Sequence, residues 1–111
     1  MTTSITVQEL QAILLTSSPP CVVDVRRAPA FAKDPAMVTG ALRRLPDAVA
    51  QWGDALRGQA VVVYCVHGHE VSQGAAQQLR ERGIAARFLE GGIAQWVAEG
   101  GRVEPPAATP D

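Results

Sequence analysis

Four apolar residues in a row, Val61-Val62-Val63-Tyr64, run straight into Cys65. A strand with one wet face alternates apolar and polar residues. An unbroken apolar run instead asks for cover on both faces, the setting of a central strand in a mostly parallel sheet. Parallel neighbours must be joined by crossovers, usually helices, and the flanking sequence supplies that alternation.

Thr6 is placed to cap a first helix, with Glu9 at capping-box spacing. Val7, Leu10, Ile13 and Leu14 share one face of it, and Ser17-Ser18-Pro19-Pro20 ends it. Cys21 to Val25 is a second buried strand. Residues 26 to 40 read as a loop with room for one short helix, and Ala41 to Leu45 as a weak strand. Pro46 and Asp47 open a helix to about Leu56, closed by Gly58. Val71 to Arg82 is the clearest helix, with Ala75, Ala76 and Leu79 inward and Gly83 as its stop. Ala86 to Leu89 is a strand, Glu90-Gly91-Gly92 a turn, and Ile93 to Glu99 a helix with Trp96 on its apolar face. The tail from Glu104 carries three prolines in eight residues and is expected to be disordered. The domain is placed at residues 1–104 and the Pro-rich tail at 105–111.

In sheets of this kind ligands bind beyond the carboxyl ends of the strands, and Cys65 stands at such an end. Both histidines, His67 and His69, lie within four residues of it. Gly68 lets the loop bend, and a helix begins near Val71. Backbone N–H groups and the positive helix end favour a thiolate there. Ser72 can cap the helix or donate to a bound anion. A free cysteine is more often an inert core residue, and Cys21 fits that reading. Each histidine is either an exposed polar residue or a proton donor. Cys65, His67 and His69 do not complete the four ligands of structural zinc, so no metal is expected.

Net charge is −1 and the pI near 6.1, so no global basic field recruits nucleic acid. No apolar run is long enough to span a bilayer. The N-terminus lacks a signal-peptide pattern, and two cysteines make no disulfide framework. A reducing cytoplasm is the expectation.

These segments together resemble the rhodanese family of single-domain sulfurtransferases, over residues 4 to about 103. Asp24-Val25-Arg26 resembles the family's strand-end Asp-Val-Arg. Gly40-Ala41 resembles the close of its Gly-His-Ile-Pro-Gly-Ala segment, with Met37-Val38-Thr39 departing from it. Tyr64-Cys65 with Gly68 resembles the active-site loop, and Glu90-Gly91-Gly92-Ile93 with Trp96 the closing Gly-Gly-x-x-x-Trp element. The resemblance implies a three-layer α/β fold, a mostly parallel sheet of about five strands with helices on both faces. It implies a bacterial-type thiosulfate sulfurtransferase without a cofactor, in which Cys65 takes sulfur from a small anionic donor as a persulfide. The sulfur then passes to cyanide, a thiol or a protein acceptor. Val66, His67, Gly68, His69, Glu70 and Val71 would hold the donor, with inward backbone N–H groups. Asp24, Arg26 and Ser72 would support the loop, Arg26 pairing with Glu90. Many relatives carry Arg, Ser or Thr where this chain has Glu70. Turned inward, Glu70 opposes an anionic donor; turned outward, it complements the helix terminus. The runner-up is a non-catalytic or regulatory module that binds a protein partner or senses redox state. Dual-specificity phosphatases resemble this fold too, but they need an arginine where Val71 stands.

Overall fold

The computed structural model describes residues 3–106. Five strands form the main sheet: β1 (Ser4–Ile5), β2 (Cys21–Asp24), β4 (Leu42–Arg43), β5 (Val61–Tyr64) and β6 (Ala86–Leu89). Their order is β1-β6-β5-β2-β4 and every neighbouring pair is parallel. The apolar run Val61–Tyr64 is central and buried at all four positions. This is an α/β fold with a five-stranded parallel sheet.

Side chains along β5 alternate between two cores, as a pleat requires. Val61 and Val63 join Ala75, Ala76 and Leu79 of α4 (Glu70–Glu81), with Val49 of α3 (Val49–Trp52). Val62 and Tyr64 join Val7 and Leu10 of α1 (Val7–Leu14), with Ile93 and Trp96 of α5 (Gly92–Ala98). Helices therefore cover both faces. Each fully buried Val or Leu contributes about 1.5–3 kcal/mol relative to exposure, so these two layers outweigh any single polar contact.

The Thr6 cap is formed. Thr6 N–H donates to Glu9 Oε1 at 2.9 Å and Glu9 N–H to Thr6 Oγ1 at 3.1 Å. The long segment after Asp24 holds α2 (Ala28–Lys33) and β3 (Met37–Val38). β3 pairs antiparallel with β7 (Val103–Glu104). Glu104 is therefore in a strand, not the start of a disordered tail, because Thr39 and Gly40 N–H groups hold Arg102 and Glu104 against it. Most of the expected tail, residues 107–111, lies outside the described residues.

The expected helix from Pro46 to Leu56 is broken. It is 3-10 at Pro46–Ala48, α-helical in α3 and 3-10 again at Gly53–Leu56. One bond and one close approach accompany the break. Trp52 Nε1 donates to Leu45 O at 2.9 Å, and a Cβ at Gly53 would meet Leu79 Cδ2 at 3.0 Å.

Candidate active site

Cys65 follows the last residue of β5, and α4 starts five residues later. Two glycines shape the loop between them. Gly68 sits at φ +74°, where a Cβ would come within 2.7 Å of Leu89 O and Gly91 N. Gly92 sits at φ +63°, where a Cβ would collide with the carbonyl oxygens of Cys65 and Val66. Both positions need the left-handed backbone and the missing side chain. The close approach lets Ile93 N–H donate to Cys65 O and Ala94 N–H to Val66 O, each at 3.0 Å. The Glu90-Gly91-Gly92 stretch read as a simple turn is thus a clasp on the cysteine loop.

Cys65 is buried, at 6% exposure, and its Sγ donates to Ser72 Oγ at 3.1 Å. Ser72 is in the first turn of α4 and does not cap it. The capping position falls to His69, whose side chain makes no capping bond. The Ser72 hydroxyl has a weak alternative acceptor in His69 O at 3.5 Å. It can therefore turn and donate to a thiolate, and bonds to a charged partner are worth about twice neutral ones. Among the described residues, no backbone N–H from Val66 to Ser72 donates to a protein acceptor. Seven unspent donors in succession make a setting for an anion.

A cavity of about 210 Å³ opens at the thiol. Cys65, Val66, His67, His69, Glu70 and Val71 line it, joined by Arg26, Arg27 and Ala30. Gly68 is buried against α5 rather than on its wall. His67 and His69 are exposed, with ring centroids 6.2 Å apart. Glu70 is exposed in the first turn of α4, so its charge complements the helix N-terminus from the cavity rim. Among the described residues no His, Cys, Asp or Glu cluster is arranged to hold a metal ion.

Beneath the loop lies a buried polar knot. Arg26 grips Asp24 through Nε at 2.9 Å and Nη2 at 2.6 Å, the side chains 2% and 0% exposed. Its Nη1 also donates to Asp34 O at 2.7 Å and its Nη2 to Ala36 O at 3.0 Å. The guanidinium stacks on Phe31, 5.0 Å from the ring centroid. The expected Arg26–Glu90 pair is not formed, because Asp24 is two residues away on the same strand end and equally buried. Glu90 accepts from Ser4 Oγ at 2.7 Å instead.

Tyr64 was not singled out for chemistry by its sequence. Its hydroxyl donates to Asp24 Oδ2 at 2.9 Å and accepts from Val38 N–H at 3.0 Å. Burial, and then the Asp24 charge, push the Tyr64 phenol far up, so it stays a donor. Arg27 was missed as well. It pairs with Asp47 at 3.2 Å across an exposed surface, as Arg26 pairs with Asp24, which leaves Glu70 as the charge on the cavity wall without an ion-pair partner among the described residues. Cys21 starts β2, at the opposite end of the sheet from Cys65, since Cys21 aligns with Val61. Burial pushes its thiol up, with Arg44 opposing, so it stays protonated at neutral pH.

The family described as the rhodanese-like domain matches residues 6–99. Among solved structures, a rhodanese-like domain protein from Staphylococcus aureus is 29% identical, with 96% of this chain and 100% of that one covered at TM-score 0.79. A full-length protein from Lactobacillus plantarum is 25% identical, covering 93% and 88% at TM-score 0.81. A protein from Rhodopseudomonas palustris described as a possible tyrosine phosphatase is 22% identical, covering 93% and 85% at TM-score 0.78, a likeness of fold. No curated protein matches the chain.

Proposed function

The chain belongs to the rhodanese-like domain family, and from that premise we propose that it is a sulfurtransferase working through a persulfide on Cys65. The carrying observation is the buried thiol beside Ser72 Oγ at 3.1 Å, followed by seven backbone N–H groups without protein acceptors. Cys65 as a thiolate attacks the outer sulfur of a donor. The bond to the rest of the donor breaks with its electron pair, and sulfite leaves when the donor is thiosulfate. The outer sulfur stays on Cys65, stabilised by the Ser72 hydroxyl and the loop N–H groups. Cyanide, a thiol or a protein acceptor then takes it. No side-chain base is needed, which suits two histidines that point to solvent at the rim. No helix among the described residues is long and apolar enough to cross a membrane, and a cytoplasmic setting with small-molecule sulfur partners fits the reading.

Phosphate transfer is disfavoured, because Val71 stands where a cysteine phosphatase holds phosphate oxygens with a bidentate arginine. Arg26, the buried guanidinium nearby, is committed to Asp24.

Mass spectrometry after incubation with thiosulfate tests the proposal. The Cys65 peptide is expected to gain one sulfur that cyanide removes as thiocyanate. Cys65→Ser is expected to abolish thiocyanate formation, and Cys21→Ser to keep most of it. Substantial activity in the Cys65→Ser protein rules the assignment out.

A further inference from the structure

A hollow of about 720 Å³ opens near the start of β2, at the end of the sheet away from Cys65. Its apolar wall is Leu14 and Leu15 at the end of α1, Pro19 and Pro20 in the turn after it, Val22 of β2 and Leu42 of β4. Leu15 is 88% exposed and Leu42 37%. Large apolar side chains left in water around one hollow mark a surface that binds something. The wall is already built. On one side Trp96 Nε1 donates to Arg102 O at 2.9 Å, Gly101 N–H to Trp96 O at 2.8 Å and Thr39 N–H to Arg102 O at 3.2 Å. On the other, Pro19 and Pro20 have locked φ angles. Walls fixed in advance lower the ordering cost of binding.

Arg102 is the one charged residue on this lining among the described residues. Its carbonyl is spent on Thr39 and Trp96, but its guanidinium has no ion-pair partner among the described residues. The Glu104 carboxylate, two residues on, accepts from Gly40 N–H instead. The wall therefore presents a single positive charge beside a large apolar surface. We propose that the hollow is a binding site for a small anionic amphiphile, an alkyl monocarboxylate whose chain lies on the Leu15–Leu42 wall and whose head meets Arg102. Ligand sites of about 300–1,000 Å³ are mostly apolar with a few placed polar groups, and this hollow has both the size and the make-up. A recess with one charge on its lining matches a molecule with one charged end, whereas the flat face of a protein would leave it unfilled. Cys65 stands at the other end of the sheet, so this site is independent of the sulfurtransferase reading. Cys21, on the same lining, marks it with a thiol.

Titration calorimetry of the full chain with decanoate and with decanol tests this, together with alkylation of Cys21 followed by mass spectrometry. Decanoate is expected to bind at one site. At ten times its Kd it is expected to slow Cys21 alkylation about tenfold, the fraction of protein left empty, and to leave Cys65 alkylation unchanged. Arg102→Gln alters an exposed side chain and keeps the backbone bonds. It is expected to weaken decanoate about three- to fivefold at low salt, the scale of an exposed charge pair, and to leave decanol unchanged. Leu15→Ser, at an almost fully exposed position, is expected to weaken both ligands about tenfold. Equal effects of Arg102→Gln on decanoate and decanol overturn the assignment of the head. No saturable binding, Cys21 alkylation that decanoate does not slow, or unchanged binding in Leu15→Ser overturns the site. Sedimentation as a dimer that Leu15→Ser returns to monomer overturns it in favour of a second copy of the chain.

Discussion

Three charged residues near the thiol behave differently because two are buried and the third is wet. Asp24 and Arg26 are almost fully buried and joined by a two-point bond. Removing one partner leaves an uncompensated charge in low dielectric, which costs about 3–5 kcal/mol. Arg26→Met is expected to lose stability on that scale in urea unfolding, and Asp24→Asn with Arg26→Met to recover part of it. A loss in the double variant equal to the sum of the Arg26→Met and Asp24→Asn losses would show that the two side chains act independently. Glu70 faces water at the cavity rim. Its repulsion of a dianion is screened, and exposed pairs of charges are worth little. Glu70→Gln is expected to lower KM for thiosulfate roughly two- to fivefold at low salt. The gain should vanish near 1 M salt, where the screening length is about 3 Å. An unchanged KM at low salt would remove Glu70 from donor selection.

The decisive element is the junction between the cysteine loop and the N-terminus of α5. It depends on two glycines whose backbones approach carbonyls closely, so it tolerates no Cβ. Gly92→Ala places a methyl against the oxygens of Cys65 and Val66 at a positive φ. It is expected to lower stability by at least about 1–2 kcal/mol from the left-handed backbone alone and to suppress sulfur loading. Gly74 offers the control. It lies inside α4 with open space where its Cβ would be, so Gly74→Ala is expected to raise stability by about 0.5–1 kcal/mol. Thermal unfolding and the mass gain on Cys65 read both variants. A Gly92→Ala protein with natural stability and loading would show that the clasp is not needed.

Across the whole molecule, the polar knot ties distant parts of the chain together. Tyr64 OH joins Asp24 to Val38 N–H, and β3 is held in turn by β7, more than sixty residues further along. Arg102 O also accepts from Trp96 Nε1 at 2.9 Å, which fastens α5 to the same edge. Ending the chain after Gly101 removes the β3–β7 pairing and the Trp96 bond at once and leaves the Tyr64 bonds in place. The truncated protein is expected to lose about 1–3 kcal/mol, the scale of leaving buried donors unpaired. Faster hydrogen exchange at Val38, Thr39 and Gly40 is expected with it. Unchanged exchange at those amides would mean that β3 is held by the sheet alone.

What the sequence determined by itself is whatever rests on local period and local chemistry. Val61–Tyr64 and Ala86–Leu89 were legible as strands, residue for residue, the first because an unbroken apolar run leaves few alternatives, the second because it is a short segment, apolar but for Arg87, between Gly83 and the Gly91-Gly92 turn. The Thr6–Glu9 cap, the inward face of α4 and the place of Cys65 before a helix were legible for the same reason. Only the tertiary structure decided the contacts made between distant segments. β3 and β7 are two residues each, too short for a periodic signal, and exist because they find each other. Arg26 was matched with the wrong carboxylate because sequence order says nothing about which groups share a buried volume. Tyr64 read as one more apolar strand residue, and its hydroxyl gained a role only when Asp24 and Val38 were brought beside it. The Gly91-Gly92 pair read as a turn, since the carbonyls that exclude a Cβ belong to a loop more than twenty residues away. A pattern within one segment reports how that segment is buried, whereas a site is made where segments meet.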